Sequence, residues 1–304
     1  MKILISDKIA AKGVQYLKEQ GFEVEESFDL SEEKLCEKIN EFDALIVRSA
    51  TKATRKVIEA GEKLKVIGRA GAGTDNIDKE AAKEKGIKVL NTPTGNSLSV
   101  AEHALGLTLA LLRHIPEGTM SLREGRWEKN RLNGRELTGK TVAIIGGGNI
   151  GSRLAKLLIP FKTNTLIVDP FELPKEKLNE LNASQVSLNE ALEKAEIISV
   201  HVPLMNETKN MFSEKEFSKM NGTYLINAAR GGIVNEKDLL NALNSGKVAG
   251  AALDVFESEP NPNPELLQNK KIIFTPHIAS ATKEAQDRCG EEIAEFVSKA
   301  LKKE

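Results

Sequence analysis

Cysteine is nearly absent. Cys36 and Cys289, the two in 304 residues, lie far apart and in no metal-ligand spacing. Both fall in helical patterns, so they read as free thiols rather than as a disulfide framework. No histidine has a Cys, Asp or His partner at ligand spacing, and no structural or catalytic metal is expected. Charge of one sign is missing too: 43 Lys and Arg stand against 44 Asp and Glu, and basic residues do not run beyond a pair. A surface that tracks phosphates needs concentrated positive charge, so no nucleic-acid partner is expected. Long apolar runs are also lacking. The longest, Ala104 to Leu112, is bounded by His103 and Arg113 and is about half a membrane span. The N-terminus, M-K-I-L-I-S-D-K, breaks off at Asp7 and Lys8 without the apolar core or cleavage site of a secretory leader. A cytoplasmic protein with no membrane partner is therefore expected. There is neither an internal repeat of solenoid period nor a low-complexity tract.

What is present is alternation. Short apolar runs at Ile3 to Ile5, Phe22 to Val24, Ala44 to Val47, Lys65 to Ile67 and Lys88 to Leu90 read as strands. Helical patterns separate them: Ala10 to Gln20, Ser31 to Ile39, and from about Thr54 and Ile77. Such alternation means βαβ units and a parallel sheet. From Leu98 to His114 the pattern becomes a longer, small-residue helix that reads as a buried crossing helix. Pro116 to Thr138 reads as irregular and charged, and it carries the only tryptophan, Trp127. A long arm with an exposed aromatic predicts a contact between subunits, hence a homodimer or higher homo-oligomer. A second α/β run begins at Lys140, with strands at Thr141 to Ile145, Thr165 to Asp169, Ile197 to Val200, Thr223 to Asn227, Gly250 to Leu253 and Ile272 to Thr275. Helices are expected at Asn149 to Ile159 and Leu188 to Ala195, and a last amphipathic helix over Lys283 to Leu301. The fold class is α/β, with two doubly wound parallel-sheet domains, the first interrupted by the second.

Gly146-Gly147-Gly148-Asn149-Ile150-Gly151 fits G-x-G-x-x-G, and its setting makes the match specific. It follows the strand T-V-A-I-I and opens a helix. There Gly146 permits the tight turn, Gly148 lets backbone approach a pyrophosphate, and Gly151 packs helix on strand. The free N–H groups of the helix N-terminus face the phosphates. Asp169 ends the next strand, where a carboxylate can bind both ribose hydroxyls. A 2′-phosphate would meet like charge there, and Pro170-Phe171-Glu172 supply no cation. NAD rather than NADP is the expected cofactor.

Three further residues follow apolar strands. Arg230 sits in N-A-A-R-G-G, Glu259 in D-V-F-E-S-E-P and His277 in T-P-H-I-A-S-A-T. Each alone also fits a structural part: an ion-pair partner, a solvated loop charge, a capped turn residue. Together they match hydride transfer from an alcohol carbon. Histidine can take the hydroxyl proton and return it, a carboxylate fixes its tautomer, and arginine offers a planar fork to an α-carboxylate.

With the motifs V-R-S-A-T, G-R-A-G-A-G-T-D-N-I-D and N-T-P-T-G-N-S added, essentially the whole chain resembles the D-isomer-specific 2-hydroxyacid dehydrogenase family. The resemblance implies a Rossmann nucleotide-binding domain (98–283, with a dimerisation arm about 98–140) inserted into a flavodoxin-like substrate-binding domain (1–97 plus 284–304). It makes Arg230, Glu259 and His277 the catalytic set. Cofactor contacts are expected from the glycine-rich turn with Asn149 and Ile150, and from Asp169, His201, Val202, Pro203, Thr208, Ala228, Arg230, Asp254, His277 and Ala279. Of these, Asp254 matches the contact to the nicotinamide carboxamide. Arg69, Ala72 and Gly73 resemble the family's carboxylate cradle, joined by Ser49 and Asn96. Arg48 and Arg131 match cations that members oxidising 3-phospho-D-glycerate use for the phosphate, the second donated across a dimer. The lesser readings are that Arg48 braces a domain interface and that Arg131 is an exposed charge. A glyoxylate or hydroxypyruvate reductase, or another D-2-hydroxyacid dehydrogenase, is the sister alternative. A nucleotide-sensing co-repressor of the same fold is the alternative of another class. Two departures stand out. The chain stops at Glu304, so the C-terminal regulatory domain of longer members is expected to be absent. Gly147 replaces a more usual apolar residue, at an expected small cost in rigidity.

Overall fold

Aliphatic and β-branched runs that can be buried on both faces form the centres of two parallel sheets. The structure, a computed structural model, describes residues 1–302. The chain divides into two units, one of Met1–Ser97 with the chain from Ser280 onward, the other of Leu98–Ala279.

In the first unit the strands are β1 (Lys2–Ile5), β2 (Glu23–Glu26), β3 (Ala44–Val47), β4 (Val66–Arg69) and β5 (Lys88–Asn91), in the order β2-β1-β3-β4-β5. That is the flavodoxin-like order, with its switch point between β1 and β3. The crossovers are α1 (Ala11–Glu19), α2 (Glu32–Ile39), α3 (Arg55–Ala60) and α4 (Lys79–Glu84). Three of them start on a side chain that takes a free N–H: Ser31 from Lys34, Thr54 from Val57, and Asp78 from Ala81.

The second unit opens with α5 (Ser97–Leu112), whose Ala101, Ala104, Leu107 and Leu111 join its core. The following segment corrects the expectation of an irregular arm: it begins with a helix, α6 (Ile115–Arg123). Pro116 lies in the first turn, where its missing N–H costs no hydrogen bond. His114, at φ 52°, turns the chain through left-handed backbone between α5 and α6. Beyond Arg123 the arm is irregular, and Trp127 is 81% exposed. Then follow β6 (Thr141–Ile145), α7 (Asn149–Leu158), β7 (Asn164–Val168), α8 (Lys175–Glu180), β8 (Ala183–Gln185), α9 (Leu188–Lys194), β9 (Ile197–Val200), α10 (Glu214–Phe217), β10 (Thr223–Asn227), α11 (Glu236–Ser245), β11 (Val248–Leu253), α12 (Pro264–Leu267) and β12 (Ile272–Phe274). The order β12-β11-β10-β9-β6-β7-β8 is the Rossmann arrangement with one strand more. Its switch point lies between β6 and β9.

The chain returns to the first unit with α13 (Lys283–Lys302), whose Ile293, Ala294 and Val297 pack into the core with Ile3, Ile5 and Leu17. A Cβ on Gly13 of α1 would lie 2.4 Å from the carbonyl oxygen of Gly290, so these two helices meet backbone to backbone. Cys36 and Cys289 are free thiols.

Candidate active site

The glycine-rich turn joins β6 to α7 at the switch point. Gly146 has φ +105°, and a Cβ there would lie 2.6 Å from the carbonyl oxygen of His201. A Cβ on Gly151 would lie 1.9 Å from the oxygen of Gly146. Those two glycines are demanded by the protein's own packing. Gly148 is different: a Cβ there meets no protein atom within 4 Å. As N-cap of α7, Gly148 also offers no side-chain cap. The open space and uncapped helix start suit a phosphate group from outside the chain. Ile150 is partly buried against Val100, Ala228 and Ala279, which form a small cluster beside this turn.

Asp169 lies just past β7. Its Oδ2 accepts from the N–H of Gly147 at 2.7 Å, and its Oδ1 from the N–H of Phe171 at 3.0 Å. His201 follows β9 and pairs through Nε2 with Ser199 Oγ at 2.8 Å. Burial pushes its pKa down to about 4, so it is neutral at physiological pH. Val202 and Pro203 continue this loop. Thr208, expected at the cofactor, closes the loop on itself: it donates to Pro203 O at 2.6 Å and accepts from the N–H of Met205 at 2.8 Å.

The remaining residues leave the C-terminal ends of three neighbouring strands, β10, β11 and β12. Asn227 shapes the Arg230 turn, donating to Arg230 O at 3.0 Å and accepting from the N–H of Ala229 at 3.1 Å. A Cβ on Gly231 would lie 1.7 Å from Phe256 O and 2.9 Å from Glu257 N. Glycine there lets the Arg230 turn lie against the Glu259 loop. That loop folds on its own carboxylate: Glu259 Oε1 accepts from the N–H of Phe256 at 2.9 Å. The other oxygen, Oε2, lies 2.7 Å from Nδ1 of His277. A carboxylate only accepts, so Nδ1 carries the proton and Nε2 is the basic nitrogen of the neutral ring.

His277 is held in left-handed backbone, φ 52°. Such a conformation costs a residue with a Cβ roughly 1–2 kcal/mol, so neighbouring bonds must hold it. They come from Asp254, at the end of β11. Its carbonyl accepts from the N–H of His277 at 2.8 Å, and its carboxylate takes the N–H groups of Ile278 (2.8 Å) and Ala279 (2.9 Å) and the hydroxyl of Thr275 (2.6 Å). Burial alone would raise this carboxyl, but hydrogen bonds from His103, Thr275 and the two N–H groups outweigh it and lower the pKa. Asp254 was expected to face the nicotinamide. It is 0% exposed, and its two oxygens hold the turn that carries His277.

Residues the sequence did not mark complete this end. Glu236, first in α11, and Glu257 each accept the other's backbone N–H, at 2.8 and 2.9 Å. This reciprocal clasp ties the Glu259 loop to the start of α11. Burial pushes the Glu236 carboxyl up. No motif marks them, because these carboxylates only accept backbone N–H groups.

In the first unit the expected substrate residues also leave strand C-termini. Asp7, just past β1, accepts from the N–H of Arg48 at 2.6 Å and from both the N–H and the hydroxyl of Thr51, at 3.0 and 2.8 Å. Asn76 donates to Arg48 O and Thr51 O, at 2.7 and 2.6 Å. Arg48 reaches back to Lys8 O at 3.2 Å, and Ser49 is exposed. Arg69 folds over Gly71, where a Cβ would sit 2.2 Å from its Nη1. Asn91 holds Ala72 O at 2.6 Å, next to Gly73. Asn96 keeps Oδ1 shielded from water with no partner among the described residues. Arg131 stands apart on the arm of the second unit, paired with Glu117 at 2.8 Å and Glu128 at 2.9 Å.

Residues 105–279 match the family described as D-isomer specific 2-hydroxyacid dehydrogenase, NAD binding domain. Among curated proteins, D-3-phosphoglycerate dehydrogenase of Methanocaldococcus jannaschii is 45% identical over 306 residues, covering 100% of this chain and 58% of that protein. The chain thus spans about half the length of the curated relatives it matches. Among solved structures, the TT0316 protein of Thermus thermophilus superposes with a TM-score of 0.90 at 31% identity, covering 100% of this chain and 97% of that one. D-lactate dehydrogenase of Aquifex aeolicus, complexed with NAD and lactic acid, does so with a TM-score of 0.86 at 29% identity, covering 100% and 96%. Residues 105–279 are the NAD binding domain, NAD is the cofactor, and the chain belongs to the D-isomer specific 2-hydroxyacid dehydrogenase family.

Proposed function

We propose that the protein oxidises 3-phospho-D-glycerate to 3-phosphohydroxypyruvate with NAD, the first step of serine biosynthesis. The hydride chemistry rests on one observation, the 2.7 Å contact between Glu259 Oε2 and His277 Nδ1. NAD, when bound, takes the hydride from C2 of the hydroxy acid. His277 Nε2 takes the hydroxyl proton in the same step, and in reverse it returns that proton to the ketone oxygen. Glu259 fixes the tautomer and stabilises the imidazolium that forms. Arg230 holds the α-carboxylate and polarises the neighbouring C2–oxygen bond. Asp254 acts one step removed, by keeping His277 in its turn. The uncapped start of α7 takes the pyrophosphate, and Asp169 takes the ribose diol.

The phosphorylated substrate is supported by the 45% identity to a relative named D-3-phosphoglycerate dehydrogenase. Arg48, just past β3 and next to the strand that carries Arg69, is the cation proposed for its phosphate. A second reading, a reductase acting on an unphosphorylated 2-oxo acid, draws on Arg131, whose guanidinium is already paired with two carboxylates. The apolar side chains Ile115, Met120, Leu122 and Trp127 all stand exposed on the arm, which is proposed to pack on a second copy. Among the described residues no helix is long and apolar enough to cross a membrane, and a cytoplasmic location is proposed.

The test is NADH formation from NAD with 3-phosphoglycerate, glycerate and D-lactate in parallel, a carbonyl trap pulling each reaction. A kcat/KM for the phosphorylated acid higher by about a hundredfold, some 2.7 kcal/mol, is expected. Equal rates would keep the hydride chemistry and move the substrate to the unphosphorylated acids.

A further inference from the structure

Around the ribose carboxylate the sequence offers no cation nearby, because Pro170, Phe171 and Glu172 follow Asp169. The fold supplies one from further along. Lys177, on α8, donates from Nζ to the carbonyl oxygen of Gly147 at 2.9 Å. The N–H of that same Gly147 donates to Asp169 Oδ2 at 2.7 Å. A carboxylate and an ammonium therefore flank one residue of the glycine-rich turn, one on each backbone group.

The arrangement is fixed on every side. Ser152 Oγ also donates to Gly147 O, at 2.8 Å. Gln185 fastens the loop between Asp169 and α8, donating to Asp169 O (3.1 Å) and Phe171 O (2.8 Å) and accepting from the N–H of Leu173 (2.9 Å). A Cβ on Gly147 would lie 2.7 Å from Leu173 Cδ1 and 3.0 Å from Ile167 Cγ2. The residue that looked like a small loss of rigidity is thus a crowded hub, and its glycine lets loop and turn close together.

Asp169 in this place repels a 2′-phosphate, while a fixed cation beside it would attract one. We propose that Lys177 is a second residue of the cofactor-ribose site, positioned on Gly147, and that Asp169 alone keeps this site from accepting a 2′-phosphate. With the carboxylate present the pair reads a ribose diol. Without it, the ammonium is already in place for a 2′-phosphorylated dinucleotide. The inference rests on NAD being the cofactor and goes beyond it, because it adds Lys177 to the ribose site as a cation that the Asp169 carboxylate holds in check.

Nicotinamide-fluorescence titrations of the full chain with NADH and with NADPH test it. The Asp169→Ser variant should bind NADPH about tenfold or more tightly than wild type does, and the added Lys177→Met change should remove that gain. Lys177→Met alone should raise KM for NAD more than it lowers kcat. If Asp169→Ser fails to fold, Asp169→Asn serves, since its amide oxygen can still accept from Gly147. A double variant that binds NADPH as well as Asp169→Ser does, or an Asp169→Ser that gains nothing, would overturn the proposal. A wild type that binds no NADH would instead overturn the cofactor assignment beneath it.

Discussion

Both units carry their candidate residues at the C-terminal ends of parallel strands, but they fasten them differently. In the second unit the candidate reacting groups are members of the hydrogen-bond network: Glu259 spans from its own loop's backbone to His277. In the first unit most of the bonds hold backbone, and the Arg48 side chain itself ends on a backbone carbonyl, that of Lys8. Asp7, Asn76 and Asn91 hold N–H and C=O groups of the loops, while the side chain of Ser49 stands outside. The difference follows the work proposed for each. Proton transfer needs two side chains fixed against each other, whereas holding a carboxylate needs a loop of defined shape with its N–H groups presented.

Breaking the anchor of the second unit should have the largest effect. Asp254→Ala leaves two N–H groups and the Thr275 hydroxyl without their acceptor, so that only the backbone carbonyl of residue 254 still holds the His277 turn. A stability loss of about 2–5 kcal/mol by denaturant unfolding is expected, with turnover collapsing alongside. A variant with wild-type midpoint and rate would show that Asp254 anchors nothing. The matching change in the first unit, Asp7→Ala, should cost less, about 1–3 kcal/mol. It should raise KM for the hydroxy acid and leave NADH affinity unchanged by titration. An equal loss of NADH affinity would erase the contrast between the units.

The mildest change is expected at Glu236, in the clasp at the start of α11. Burial raises its folded-state pKa, so the native state holds this proton more tightly than the unfolded chain does. The proton's contribution is therefore complete below the ordinary carboxyl pKa, about 4.3, and is lost as pH rises through the raised folded value. Glu236→Gln keeps an oxygen for the N–H of Glu257 and removes the titration. Melting temperatures across that window should fall less steeply with rising pH than in wild type. An unchanged slope would place the titrating group elsewhere.

Legibility in the sequence tracked the range of the interactions. The central strands could be read because four or five apolar residues in a row have one physical use in a short segment. The glycine-rich turn could be read because strand, glycines and helix are contiguous. α6 was obscured by Pro116, which looks like a breaker until it is known to lie in a first turn. α8 and β8 are short, and α8 buries no residue, so no periodicity announces them. The roles of Asp254, Glu236 and Lys177 were hidden for a different reason. Each depends on a backbone group more than twenty residues away, at Ile278, Glu257 or Gly147, and no local pattern carries such a partner. The Arg230, Glu259 and His277 motifs could be read as candidates from residue type, while the contact between two of them needed the fold.

Glu259 and His277 are proposed to work as one unit, and a double-mutant cycle on kcat/KM is the decisive measurement. His277→Ala should lower the rate by roughly 10²–10⁴, the range of a lost general acid–base group. Glu259→Gln should cost about 10- to 100-fold alone and almost nothing further once His277 is gone, because residues acting as a unit are not additive. Effects that multiply independently in the double variant, or a His277→Ala enzyme with wild-type turnover, would contradict the account.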